Sequence, residues 1–410
     1  MRLASLTLVA TLAAGEGPSC SAPAPATYAH EFATLTIASD SSPSNLAVPI
    51  RGRRNLVYSY RDEFPEHIRG PTSSSFPLVA QASIAPGAEA ADAANASAAI
   101  AAYATAARQL LEEQLVTHGA VYFRGLPLTD GLDFAAFVKA LGWNAVKLGG
   151  GGTQRNDVAK GVRTASEEPP EQTIEPHLDM AHSKTHPTHI AFYCLEGPPP
   201  GVGGETVLVN MRGVYSELEA QGVTHEFDER GGVAYHKRLW SAAQTNHTGY
   251  TWQQFFFTQE LDVALAQVRM RDPDAIVHKH GPEVIDFRES MPAVHLHPST
   301  REPLWFNGVH TNHKSYYVEA EHIDTTDGSP MDTTYADGSA ISDATVATVR
   351  AAWWHNSVAV RLQAGDLVVV DNYLAGHGRM SWVPPNPRKV LLSHFVQGAT
   401  VHDAPAVTDA

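Results

Sequence analysis

His177 and Asp179 stand two residues apart in Pro176-His177-Leu178-Asp179-Met180, and His377 follows 198 positions after Asp179 (377 − 179) in Gly376-His377-Gly378-Arg379. On a β-strand the side chains at i and i+2 share a face, so this imidazole and carboxylate can converge on one point. A second imidazole from His377 completes two histidines and one carboxylate. That set holds non-haem Fe(II) on one triangular face and leaves the opposite face open for a co-substrate and O₂.

A bare H-x-D is a weak signal in a chain with 21 histidines, and taken alone it reads as a satisfied surface pair. The surroundings change its weight. Arg388 lies eleven residues beyond His377 (388 − 377), and Gly203-Gly204-Glu205-Thr206 stands between Asp179 and His377. The five positions His177, Asp179, Thr206, His377 and Arg388 resemble, in type and order, the taurine dioxygenase family of Fe(II)/2-oxoglutarate oxygenases, also called clavaminate synthase-like.

The resemblance implies that His177, Asp179 and His377 bind iron, and that Thr206 and Arg388 hold 2-oxoglutarate. A guanidinium fork offers two parallel donors that match a carboxylate, which suits Arg388 to the distal end of that co-substrate. Arg379, two past His377, supports the co-substrate, contacts an acidic substrate, or only braces the barrel end. Because halogenating relatives replace the carboxylate of the first motif with a small residue, Asp179 favours hydroxylation, or a related desaturation or cyclisation. The implied reaction consumes O₂ and 2-oxoglutarate, releases succinate and CO₂, and oxidises a small polar or anionic substrate.

Two other readings stay open. One is a non-catalytic jelly roll that binds a small molecule, its site vestigial or filled by Zn. The other is a Zn hydrolase using the same ligands, against which Arg388 and Thr206 argue, since a hydrolase needs neither. His182, His186 and His189 crowd the first motif without forming H-x-D or H-x-E, and read as supporting or surface residues.

Elements must carry these residues to one place. The fold that the resemblance implies is mainly β with flanking helices, a double-stranded β-helix (jelly roll, cupin-like). The pattern agrees with it. An Ala-rich helix runs from Asp92 to a stop at His118-Gly119, followed by a strand over Ala120–Pro127 and a second helix over Leu132–Leu141. Thr188–Cys194 and Thr206–Val209 read as strands, with Thr206 and Leu208 on one face and Asn210 capping a helix through Val214 and Leu218. Leu261, Leu265 and Val268 mark another helix, and Ser342 caps one carrying Val346, Val349 and Trp353. Val358, Val360 and Leu362 alternate, Leu367–Val370 is a buried strand, and Arg388, Val390 and Leu392 share the inner face of the last one. Four glycines, Gly149 to Gly152, form a loop rather than a phosphate cradle, because no strong helix follows them.

The organisation expected is a leader over 1–22, an irregular extension over 23–90, a catalytic domain over 91–400 with an insert at about 223–345, and a tail over 401–410. In the insert, His295-Leu296-His297-Pro298 and Trp305-Phe306-Asn307 resemble an element that lines the substrate side in family members. Tyr250, Trp252, His310 and His313 are further candidates there, although aromatic residues in an insert are more often core.

Bulk properties exclude some functions. Net charge is −15, from 44 acids and 29 bases, which repels phosphate backbones and argues against nucleic acid. No apolar run reaches the roughly 20 residues that span a bilayer. Two cysteines, Cys20 and Cys194, are too few for a disulfide framework. The opening Met1-Arg2 and the short apolar stretch after it read as a secretory or organelle leader, or as a disordered Ala-rich start to a cytoplasmic chain. The sequons at Asn95 and Asn246 do not decide the compartment. Oxygenases of the family work inside cells, which puts an organelle ahead of secretion.

Overall fold

The computed structural model describes residues 26–31, 33–37, 76–84, 96–148, 155–243, 251–280, 283–318 and 329–397. The leader, the tail, Cys20, Gly149–Gly152, Tyr250 and the sequon asparagines lie outside the described residues.

Two sheets face each other, antiparallel except that Leu78–Ile84 runs parallel to Ala120–Arg124. In the larger, ten-stranded sheet the strands run in the order Thr27–His30, Ala33–Ile37, Leu78–Ile84, Ala120–Arg124, Leu367–Asp371, His189–Glu196, Lys389–Phe395, Val162–Thr164 and Asp157–Ala159, with Ala145–Val146 also paired to Lys389–Phe395. The smaller sheet has four strands in the order Ser357–Val360, Thr206–Asn210, Ala375–Arg379 and Ile174–His177. Residues alternate between the two faces of each strand. Ala120, Tyr122, Ile190, Phe192, Val368, Val370, Val390 and Leu392 point inward to meet Leu208, Val358, Val360 and Ala375 of the small sheet. Their neighbours Val121, Phe123, Ala191, Tyr193, Leu367, Val369 and Leu391 point outward and are covered by the helices Ala96–His118 and Gly131–Leu141. A strand such as Leu367–Asp371 is thus buried on both faces, which is why it reads as an unbroken apolar run.

The second helix begins at an Asp130 cap, whose side chain accepts from the backbone N–H groups of Leu132 and Asp133. The helices capped by Asn210 and Ser342 fall where their caps predict, over Met211–Ala220 and Asp343–His355. The region 23–90, expected to hold loops with at most a docking strand, contributes Thr27–His30, Ala33–Ile37 and Leu78–Ile84 to the large sheet. Ala33 and Leu35 are fully buried in the cluster that includes the first helix. Strands this short carry too few alternations to register as a pattern, and their pairing is decided by distant partners.

The insert builds a layer of its own. Strands Ile276–His280, Val284–Met291, Val233–Trp240 and Met331–Tyr335 pair in that order. Leu239, Trp252, Phe255, Phe256, Leu265, Val268, Ile285 and Phe287 form a separate apolar cluster beside them.

Candidate metal centre

Three strands of the small sheet bring the motifs together. Ala375–Arg379 lies between Thr206–Asn210 and Ile174–His177, so that His377 is opposite both Leu208 and His177, and Arg379 is opposite Thr206. The pairing with Ile174–His177 is tight. A Cβ on Gly378 would sit 2.8 Å from the Ile174 carbonyl oxygen and 3.0 Å from Pro176 Cα, so only glycine allows this approach. From the facing sheet Phe192 packs on the His377 ring with centroids 4.7 Å apart.

Asp179 reaches the site by a different route from the one its spacing suggests. The strand ends at His177, and Asp179 lies in the turn that follows, with Met180 at φ 58°. Asn372 shapes that turn. Its Oδ1 accepts from the Asp179 N–H at 3.0 Å, and its Nδ2 donates to the carbonyls of Asp179 (3.0 Å) and Pro187 (2.9 Å). A buried asparagine using both ends of its amide thus does what strand alternation was expected to do.

One nitrogen or oxygen atom from each of His177, Asp179 and His377 lies within 4.8 Å of the others. Asp179 and His377 are buried and His177 is partly open. Asp179 Oδ1 is 3.2 Å from His177 Nε2 and 3.5 Å from His377 Nε2. Its other oxygen, Oδ2, accepts from His394 Nε2 at 2.7 Å and from Arg155 Nη2 at 3.1 Å. The far nitrogen of His177, Nδ1, is 2.9 Å from the Glu175 carbonyl. A carbonyl only accepts, so the proton of the neutral ring is on Nδ1 and Nε2 is a bare lone pair. That lone pair faces a carboxylate oxygen, also an acceptor, and a cation between them resolves the conflict. Two imidazole nitrogens and one carboxylate oxygen form a borderline N/O donor set that suits a first-row divalent metal such as Fe(II).

The charges agree. Burial alone would raise the Asp179 carboxyl, but the Arg155 guanidinium, helped by the N–H that His394 donates, outweighs it and holds it well below the usual carboxylate range. Burial pulls His377 down, which keeps its ring neutral and able to ligate.

Beside this centre lies a cleft lined by Arg155, Ser166, His177, Thr206, Arg379 and Arg388, among others. Arg388 precedes the last strand; its Nε donates to the Gly204 carbonyl (2.8 Å) and its Nη2 to Thr206 Oγ1 (3.2 Å). Gly204 has φ +77°, and a Cβ there would press on Arg388 Cδ at 3.1 Å and on Pro198 Cγ at 2.9 Å. Arg379 lines the same cleft, yet its terminal nitrogens donate to three backbone carbonyls, of Glu168 (3.1 Å), Pro169 (2.7 Å) and Gln172 (2.6 Å). Its guanidinium also stacks 4.6 Å from the Trp382 ring. This geometry braces the 168–172 loop. Burial draws Arg388 down to about 10, and burial with the nearby Arg388 draws Arg379 down to about 9, so both remain cations wanting an anion.

Other candidates lie elsewhere. Trp305 packs edge-on against Phe227, Phe306 stacks on Tyr373 at 4.3 Å, and Asn307 donates to the Ala293 carbonyl. These are core contacts, and none of the three lines the cleft. Trp252 belongs to the insert's cluster, and His310 and His313 are buried. His186 bonds Tyr373, and His189 lies 3.8 Å from Asp371. Sequence reasoning missed Arg155, Asn372 and His394. Only His394 left a signal, since it continues the inward alternation of Val390 and Leu392.

Residues 83–394 match the family model described as taurine catabolism dioxygenase TauD, TfdA family. A clavaminate synthase-like protein of Arabidopsis thaliana is 29% identical over 294 residues, spanning 70% of this chain and 84% of its own. The dapdiamide synthesis protein DdaC of Enterobacter agglomerans is 26% identical over 281 residues, spanning 66% and 80%. Among solved structures, PvcB, an Fe, alpha-ketoglutarate dependent oxygenase from an isonitrile synthetic pathway, aligns at 15% identity and TM-score 0.43 over 78% of this chain and 86% of its own.

Proposed function

The chain belongs to the TauD, TfdA dioxygenase family, and from that premise we propose that it hydroxylates a small polar or anionic molecule, with His177, Asp179 and His377 as the metal ligands. It is an Fe(II)- and 2-oxoglutarate-dependent oxygenase. The observation that carries the ligand assignment is the bare Nε2 of His177 aimed at Asp179 Oδ1, with His377 Nε2 beside it.

When bound, Fe(II) supplies the activation of O₂ that is coupled to decarboxylation of 2-oxoglutarate to succinate and CO₂. The protein's own part is positional. Arg388, fixed by Gly204 and Thr206, offers its remaining donors to the distal carboxylate of 2-oxoglutarate, and the Thr206 hydroxyl adds another. Phe192, Ile174 and Val390 line the cleft with apolar surface that excludes water. Arg379 holds the 168–172 loop and adds positive potential rather than gripping the co-substrate directly. The cluster of Arg155, Arg379 and Arg388 supports an anionic or polar substrate as well as the dianionic co-substrate.

Anaerobic titration of the protein with Fe(II) and 2-oxoglutarate should raise the weak visible charge-transfer band of the chelate, and His177→Ala should abolish it. Absence of the band in the wild type, or its survival in that variant, would reject the ligand assignment and favour a vestigial or Zn-filled barrel. A succinate-release screen over carboxylates, sulfonates and amino acids then tests the substrate class, and release with none of them would count against it.

A further inference from the structure

Resting on the reading of His177, Asp179 and His377 as metal ligands, we propose that His394, set by Arg163, is a positioning residue that makes Asp179 a one-oxygen ligand. Arg163 Nη2 lies 3.0 Å from His394 Nδ1. A guanidinium has donors only, so Nδ1 must accept and the ring's proton must sit on Nε2. That N–H points at Asp179 Oδ2 from 2.7 Å, and the His394 side chain has no exposed surface. The neighbouring strand fixes the rest. Arg163, on Val162–Thr164, is opposite Leu392 of Lys389–Phe395, which carries His394 on the same inward face as Val390 and Leu392.

With Oδ2 committed to His394, only Oδ1 faces the two imidazoles of the centre. This matters because three protein atoms leave half of an octahedral sphere for the co-substrate and O₂. A carboxylate free to turn and chelate through both oxygens would take one of those places. Arg155 Nη2 reaches both oxygens, Oδ2 at 3.1 Å and Oδ1 at 3.5 Å, but it lines the cleft and meets whatever enters there, whereas His394 is sealed away from it. His394 is therefore the partner that holds the carboxylate in every state of the cleft.

The test uses the full chain freed of metal and titrated anaerobically with Co(II), whose visible bands report coordination number and geometry without turnover. His394→Gln carries an amide N–H to about the reach of Nε2. His394→Asn, one methylene shorter, reaches only as far as Nδ1. The proposal expects the Gln variant to bind Co(II) within about threefold of wild type with the same spectrum. The Asn, His394→Leu and Arg163→Leu variants should bind roughly 10- to 100-fold more weakly, with altered bands. Arg163→Leu belongs in this group because it frees the ring to move its proton to Nδ1. If the Leu variants do not fold, the two amides carry the comparison by themselves. Asn and Leu variants that match wild type in affinity and spectrum, or a Gln variant that fails as badly as Asn, would overturn the role of His394. Wild type that takes up no Co(II) sinks the ligand assignment instead, and this proposal with it.

Discussion

Two buried aspartates in this molecule each sit among histidines, and they do different things. Asp179 has His177, His377 and His394 around it, and Asp371 has His297 at 3.1 Å and His189 at 3.8 Å. The distinction lies on the far side of each ring. His297 Nδ1 accepts the Thr300 N–H at 3.1 Å, so its proton is on Nε2 and it donates to Asp371. The other oxygen of Asp371 caps the N–H groups of Tyr373 and Leu374. Both oxygens of Asp371 thus have a protein donor, and the cluster is a structural clasp on the loop leading to His377. His177 is set the opposite way by the Glu175 carbonyl, so its bare nitrogen and Asp179 Oδ1 are two acceptors turned on one point. Composition does not separate a clasp from a metal site; the tautomer that the backbone imposes does.

The sharpest way to break this comparison is to remove each carboxylate in turn. Asp179→Ala should lose the Fe(II)/2-oxoglutarate charge-transfer band and succinate release down to background. Asp371→Ala should keep metal binding while folded but lose about 3 kcal/mol of stability, as expected when one partner of a buried pair is deleted. Urea unfolding in EDTA beside the visible titration separates the two. Equal loss of stability with equal loss of metal in both variants would erase the distinction.

A smaller effect tests the cations of the cleft. Arg388→Met should raise the KM for 2-oxoglutarate roughly 30-fold or more, since truncating a buried charge partner costs about 2 kcal/mol or more. Arg379→Met should raise it only severalfold, because its terminal donors are already spent on backbone carbonyls. Steady-state succinate assays give both values, and a larger effect at Arg379 would reassign the co-substrate grip.

The last test concerns a third kind of imidazole, read through pH rather than through the cleft. His310 donates Nε2–H to the Pro176 carbonyl at 2.9 Å and is wholly buried against Trp353, near Glu175 and Arg350. Burial pushes its pKa down from 6.5 to about 4. Below 6.5 the unfolded chain binds a proton that the folded ring refuses, so the unfolded state gains protons and stability falls with pH. The contribution is complete above 6.5 and is lost as pH drops toward 4, at up to ~1.4 kcal/mol per pH unit. His310→Gln should flatten the dependence of the urea midpoint over that window, and an unchanged slope would contradict the assignment.

What the sequence determined by itself was the donor set and most of its framework. His177, Asp179, Thr206, His377 and Arg388, which the fold gathers around one cleft, were legible because side-chain types and their order along the chain are written in the sequence. Helices with a strong cap, such as those starting after Asn210 and Ser342, were legible because the signal is local. Only the tertiary structure decided how Asp179 arrives, through a turn clamped by Asn372 from 193 residues away. It alone showed that Arg379 braces a loop, that Trp305 and Phe306 are core, and that short strands before residue 85 complete the large sheet. It alone set which nitrogen of each histidine is bare, because that depends on a carbonyl, an amide N–H or a guanidinium brought to the ring's far side. Such contacts are long-range or conformational, and residue type carries no record of them.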